Sequence, residues 1–244
     1  MLHIVPTPLG NLDDLSPRAV SALKESRVIF CEDTRRTARL CAHFGITARL
    51  ERYNEHDDKS VARAMERLRA GDVCSVVSDG GTPCVSDPGW KLVALARAEG
   101  LPVDSIPGPC AAITAFAASG MPVGGFVFLG FLPRKPSKIE QSVSAAFTLG
   151  KPVIIYESPY RLMKFLRFAA EKFGAGVEVF VARELTKLHE ECFRGTLEGA
   201  LAHFGKRDRI LGEVCVILLP PKADGDEARE EEDISGEGHD SEDY

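Results

Sequence analysis

Several short segments of the 244-residue chain carry side chains whose types and spacing could do chemistry. Cys31-Glu32-Asp33-Thr34-Arg35-Arg36 sets two carboxylates beside two guanidinium groups, and Arg183-Glu184-Leu185-Thr186-Lys187 repeats the mixture. Opposed charges in the first segment either cap a helix or form the polar wall of a cleft, and both readings stay open. The second segment reads as a site wall, a phosphate contact or a solvated loop. Asp79 lies in Ser78-Asp79-Gly80-Gly81-Thr82-Pro83, where a carboxylate could accept hydrogen bonds from a ligand amine or hydroxyl. Pro6-Thr7-Pro8-Leu9-Gly10-Asn11, Pro107-Gly108-Pro109-Cys110-Ala111 and Glu157-Ser158-Pro159-Tyr160-Arg161 are rich in Gly and Pro, so backbone amides and carbonyls there can approach a ligand closely. Tyr53-Asn54-Glu55-His56 adds a further carboxylate.

Other chemistries find no support. The chain has no G-x-x-x-x-G-K-[ST], no G-x-G-x-x-G after its first apolar run and no G-x-S-x-G. That argues against a Walker-type phosphate loop, a standard dinucleotide site and a hydrolase nucleophile elbow. The six histidines show no metal-ligand spacing, and the seven cysteines are scattered with no C-x-x-C pair, so no metal site is expected.

These segments need elements to position them. Hydrophobic periodicity alternates between strand and helix along most of the chain. Strands are expected over 2–5, 28–31, 49–53, 73–77, 103–106, 126–129, 153–156, 177–182 and 214–219. Helices are expected over 17–25 behind a Ser16 cap, 34–44 stopped by Gly45, 60–70, 87–98, 111–119, 160–173 and 197–204, with one more opened by the capping box Ser137-Lys138-Ile139-Glu140. Each of the segments first named falls after a strand, where open α/β sheets bind ligands. Gly120-Met121-Pro122-Val123-Gly124-Gly125 suits neither regular element and marks a boundary between an N-terminal α/β domain, 1–119, and a C-terminal α/β domain, 120–222.

The net charge of −6 hides two parts. Residues 224–244 hold eleven acidic groups and one basic, Arg229, for a net of −10, leaving +4 on the rest. A segment so charged and so poor in apolar residues cannot offset its chain entropy, so 223–244 reads as a disordered acidic tail. The mildly basic remainder permits an anionic partner. No apolar run is long enough to span a bilayer, and residues 1–6 show no basic stretch leading into an apolar one, so neither a membrane nor a secretory leader is expected. With unpaired cysteines, this points to the cytoplasm.

Taken in order, the motifs resemble the RsmI family, the small-subunit ribosomal RNA cytidine 2′-O-methyltransferases within the tetrapyrrole-methylase-like (class III) enzymes. The resemblance rests on Pro6-Thr7-Pro8-Leu9-Gly10-Asn11-Leu12-x-Asp14-Leu15-Ser16, Cys31-Glu32-Asp33-Thr34-Arg35, Ser78-Asp79-x-Gly81-Thr82-Pro83-x-x-Ser86-Asp87-Pro88-Gly89 and Pro107-Gly108-Pro109. It continues through Gly130-Phe131-Leu132-Pro133-x-Lys135, Tyr156-Glu157-Ser158-Pro159-x-Arg161 and Arg183-Glu184-Leu185-Thr186-Lys187. Gly80, Cys110 and Tyr160 depart from the family's usual Ala, Ser and His.

The resemblance implies a two-domain α/β fold with mixed sheets and S-adenosylmethionine in the interdomain cleft. The cofactor would contact Pro8, Leu9, Gly10 and Asn11, then Asp79, Gly80, Gly81, Thr82 and Pro83, then Cys110 and Ala111, with backbone near Tyr156 and Arg183. The implied substrate is 16S rRNA of the small ribosomal subunit, and the implied state is a homodimer. A ribose 2′-hydroxyl is a poor acid, so a helper is expected among Glu157, Asp33, Glu55 and Lys187, which stay unranked. Arg35, Arg36, Arg134, Lys135 and Arg161 would hold phosphates at the rim. Two rivals remain at this point: a tetrapyrrole C-methyltransferase of the same fold, and a non-catalytic RNA- or ribosome-binding protein.

Overall fold

The computed structural model describes residues 1–122 and 124–221. The segment 223–244, expected to be disordered, lies outside the described residues.

The first half is a parallel sheet. Its strands are β1 (Leu2–Ile4), β2 (Val28–Cys31), β3 (Arg49–Arg52), β4 (Cys74–Val76) and β5 (Val103–Ser105), in the spatial order β3-β2-β4-β1-β5. Helices α1 (Pro17–Glu25), α2 (Thr34–Phe44), α3 (Asp58–Arg69) and α4 (Trp90–Ala98) connect them. Both faces are covered: Leu2, Phe30, Leu68 and Leu92 pack on one side, Val5, Leu23, Ile29 and Val77 on the other. That burial explains why these strands read as continuous apolar runs. Because all five strands point the same way, the turns after β1, β2, β4 and β5 meet at one edge.

The second half is a mixed sheet in the order β6-β7-β10-β8-β9, from β6 (Val127–Phe131), β7 (Val153–Glu157), β8 (Glu178–Arg183), β9 (Glu191–Thr196) and β10 (Val214–Leu218). Only β6 and β7 run parallel, and β10 lies antiparallel between β7 and β8. Helices α6 (Pro136–Phe147), α7 (Pro159–Phe173) and α8 (Leu197–Phe204) cover one face through Leu162, Phe165 and Phe204. The other face is covered by α5 (Ala111–Ser119), which precedes this half in sequence. Its Ala112 and Ala115 pack on Ile154, Phe180, Cys215 and Ile217. One helix thus ties the two sheets together.

Local signals explain most helix ends. Ser16 accepts a hydrogen bond from Ala19 N–H, Asp33 accepts from Arg35 and Arg36 N–H, and Gly45 closes α2 at φ 63°. Three expectations are corrected. The capping box at Ser137 does not form, because Pro136 takes the first helical position and Lys135, whose side chain makes no capping bond, stands before it. Helix α4 starts at Trp90 rather than 87, because Ser86 at φ 64° and Gly89 at φ 134° hold Asp87-Pro88 in a loop. The segment 191–196, not expected to be regular, is edge strand β9.

Candidate active site

The edge where the turns of the first sheet converge faces the strand ends β7, β8 and β10 across a cavity of about 290 Å³. Its floor is a set of crosslinked turns. Thr7 and Gly81 exchange backbone hydrogen bonds at 2.9 Å, and Thr7 Oγ1 donates to Ser78 O. Thr82 Oγ1 donates to Pro109 O at 2.8 Å, joining the turn after β4 to the turn after β5. Gly81 sits at φ 93°, and a Cβ there would stand 3.2 Å from Leu9 Cδ2, so glycine is what allows this turn to close. Across the cavity, the Tyr156 hydroxyl accepts from Ala112 N–H at 3.0 Å, fastening β7 to the start of α5.

Four carboxylates line the cavity, from Asp79, Asp87, Glu157 and Glu213, and among the described residues no Lys or Arg does. Three have a cation just behind them. Arg36 Nη1 lies 3.5 Å from Asp79, Arg161 Nε lies 3.3 Å from Glu157, and Lys187 Nζ lies 2.9 Å from Glu213. Glu157 is only 3% exposed; its Oε1 accepts from Ser158 N–H at 2.7 Å, while Oε2 has no partner. Burial pushes this carboxyl above the ordinary carboxylate range, although Ser158 N–H and Arg161 pull the other way.

Asp87 has no cation within ion-pair distance among the described residues. Burial, reinforced by the charges of Glu32, Asp79 and Glu213, pushes it up to about 7. Between its ordinary value of 3.8 and about 7, the folded chain keeps a proton that the unfolded chain has released. Stability therefore falls as pH rises through this window. Asp87→Asn should remove that fall: its melting temperature should exceed wild type by a margin that grows from about pH 5 to about pH 8. Parallel melting curves for the two proteins across that range would contradict it.

The cavity gathers Leu9, Asp79, Gly80, Gly81 and Thr82 with Cys110, Ala111, Tyr156 and Glu157. Pro8 and Gly10 face a neighbouring recess instead. Asn11 caps a short turn through Asp13 N–H, and Pro83 lies outside the lining. The Arg183 guanidinium turns away to Glu191, Leu211 O and His189 O. Asp33 caps α2, and Glu55 accepts from Gly89 N–H and Trp90 Nε1–H, so both carboxylates are engaged outside the cavity. Lys187 is held by Glu184 and Glu213, which keep it protonated against the effect of burial. Arg161 donates to Leu132 O and Pro133 O; it braces the loop carrying the exposed Arg134 and Lys135 as well as Glu157. Arg35 and Arg36 are exposed on α2.

Asp87 and Glu213 belong to the lining but were not singled out in the sequence. Asp87 carried one signal, the Ser86-Asp87-Pro88-Gly89 string that continues the turn after β4. Glu213 carried none.

A carboxylate-lined cavity with Leu9, Val85, Phe131 and Leu185 on its walls suits a cationic ligand with an apolar body. The parallel sheet followed by a mixed sheet is the fold of the tetrapyrrole methylase class, and the family model described as Tetrapyrrole (Corrin/Porphyrin) Methylases matches residues 1–201. A uroporphyrin-III C-methyltransferase from Thermus thermophilus, solved in complex with S-adenosyl homocysteine, shares the fold at a TM-score of 0.63 and 16% identity, over 88% of this chain and 96% of that one. Relatives named ribosomal RNA small subunit methyltransferase I are nearer in sequence. That of Hydrogenobaculum sp. is 39% identical over 89% of this chain and 94% of its own length. That of Halalkalibacterium halodurans is 43% identical over 89% of this chain and 75% of its own. The chain belongs to the ribosomal RNA small subunit methyltransferase I family. Among the described residues, no helix is long and apolar enough to cross a membrane.

Proposed function

We propose that this chain transfers a methyl group from S-adenosylmethionine to the 2′-hydroxyl of a cytidine ribose in 16S rRNA of the small ribosomal subunit. The observation that carries the reading is the 39–43% identity to methyltransferases of small-subunit ribosomal RNA over nine tenths of the chain. The cytidine and its 2′-oxygen follow the family resemblance of the motifs.

The cofactor, when bound, supplies an electrophilic methyl on a positively charged sulfur. The carboxylates of Asp79, Asp87 and Glu213 would neutralise that positive charge, and the apolar walls would exclude water. Glu157 is the group best placed to take the hydroxyl proton: the residue lines the cavity, and its Oε2 is buried and unpartnered. Arg161, 3.3 Å from Glu157 and bonded to the 132–133 carbonyls, positions that carboxylate. Asp33, Glu55 and Lys187 act as structural partners in this reading. The reading includes a homodimer working in the cytoplasm, and light scattering at twice the chain's molar mass would support the assembly.

The direct test is a tritiated-methyl transfer assay on small subunits lacking the modification, with the labelled nucleotide then mapped. Label on a cytidine 2′-oxygen supports the proposal; no transfer, or label on a base, refutes it. Asp79→Ala should weaken cofactor binding by about 1.5–3 kcal/mol, roughly ten- to a hundredfold, through loss of a charge-assisted contact. Calorimetric titration with S-adenosyl homocysteine checks this, and wild-type affinity in the mutant would exclude Asp79 from the cofactor site.

A further inference from the structure

Beside the cavity lies a second recess of about 200 Å³, lined by Pro8, Gly10, Thr37, Arg36 and Arg39 among others, and the two share Leu9 and Asp79. Their charges are opposed. The cavity holds four carboxylates, whereas the recess holds the guanidinium groups of Arg36 and Arg39 with a single carboxylate, Asp79, on the seam. Arg36 and Arg39 are three residues apart on α2 and project to the same side. Both are exposed, and among the described residues Arg39 has no ion-pair partner while Arg36 has only the 3.5 Å contact to Asp79. The first amides of α2 are already capped by Asp33, so the positive potential of the recess comes from the two side chains rather than from open backbone. The intervening wall is held by the paired Thr7 and Gly81 backbones.

We propose that this recess binds the phosphodiester adjoining the ribose to be methylated, with Arg36 and Arg39 gripping its oxygens. The inference rests on the methyltransferase reading above and names a substrate subsite of the same site. A ribose carries its 2′-hydroxyl and its 3′-phosphate on neighbouring ring carbons. A phosphate in the basic recess therefore leaves the 2′-oxygen at the seam, facing the carboxylate-lined cavity. A guanidinium fork suits phosphate oxygens because it can donate two parallel hydrogen bonds. An acidic cavity for a cation and a basic recess for an anion, separated by one loop, match the two reactants of such a transfer.

The test uses Arg39→Gln, because Arg39 lines the recess and not the cavity. A fluorescein-labelled single-stranded oligoribonucleotide is titrated by anisotropy over a range of salt, and small-subunit methylation is measured at steady state. The variant should bind the RNA roughly tenfold more weakly, and the slope of log affinity against log salt should shrink by about 1. The KM for subunits should rise roughly tenfold while kcat and the dissociation constant of S-adenosyl homocysteine stay within about twofold. Arg39→Lys should restore the salt slope but only part of the affinity. Unchanged RNA affinity and slope in Arg39→Gln would overturn the proposal, as would a loss of kcat with KM unchanged. Sensitivity of Arg39→Gln to inorganic phosphate alone, with RNA binding intact, would assign the recess to a free anion and overturn it too. Wild-type protein that methylates no subunit would refute the function, whereas the salt slope on RNA reads the recess independently.

Discussion

Glu157→Gln should lower kcat for methyl transfer by about 10²–10⁴, the usual contribution of a positioned proton acceptor. The substitution keeps the side chain's volume and leaves an oxygen for Ser158 N–H, but removes the buried, unpartnered oxygen that could accept a proton. The affinity for S-adenosyl homocysteine should change little, which separates a catalytic defect from a binding one. The pH profile carries a second signature. Because the base must be unprotonated, the wild-type rate falls as pH drops through the Glu157 pKa. Burial raises that pKa, so the acid limb lies nearer neutrality than for an exposed glutamate. In Glu157→Gln that limb should vanish. A variant with wild-type kcat, or one retaining the same acid limb, would remove Glu157 from the chemistry.

Phe180→Ala should be strongly destabilising although the residue lies outside the site. Phe180 lies on β8, is 3% exposed and sits in the layer where α5 of the first half covers the second sheet. Truncating such a side chain costs about 3–5 kcal/mol, from lost transfer energy and the cavity left behind. For a chain of this size that corresponds to a melting temperature lower by roughly 6–20 °C. The cavity should feel it as well, because Ala182, two residues along the strand and on the same face, lines its wall. Differential scanning calorimetry checks the first effect and calorimetric titration of S-adenosyl homocysteine the second. A fall of less than about 2 °C would mean that α5 does not depend on this contact.

Much of the fold is legible in the sequence because it is written locally. Ser16 with Pro17, Asp33 before Thr34 and Gly45 after Phe44 announce their helix ends by side-chain caps or by a left-handed turn, none of which needs distant partners. Strand β9 is hidden for the opposite reason. Glu191-Cys192-Phe193-Arg194-Gly195-Thr196 has little apolar character, since an edge strand is half-covered at best, and only its pairing with β8 makes it regular. The start of α4 depends on left-handed residues at Cys84 and Ser86, a conformation the tertiary structure imposes. In the candidate site, Asp79 stands out because a carboxylate in a Gly-rich turn after a strand is conspicuous, whereas Glu157 is legible only as one of four unranked candidates. What the sequence does not carry is the list of partners. Asp33, Glu55 and Lys187 look as reactive as Glu157 on paper, and differ from it only in what each side chain meets across the fold.

The placement of β10 bears on how the chain is made. The first sheet has all its strands once Ser105 has been synthesised, and can close on itself. The second cannot, because its central strand is its last: β7 ends at Glu157, and β10, which must lie between β7 and β8, begins only at Val214. At about 5–20 residues per second, the ribosome takes roughly three to eleven seconds to cross that interval. Once Arg183 has been made, β7 and β8 still have no strand between them, and α5 still lacks Cys215 and Ile217 of β10, which will pack against it. A polypeptide released after Arg183 but before Val214 lacks the strand that joins β7 to β8 and the two β10 side chains that pack against its linking helix.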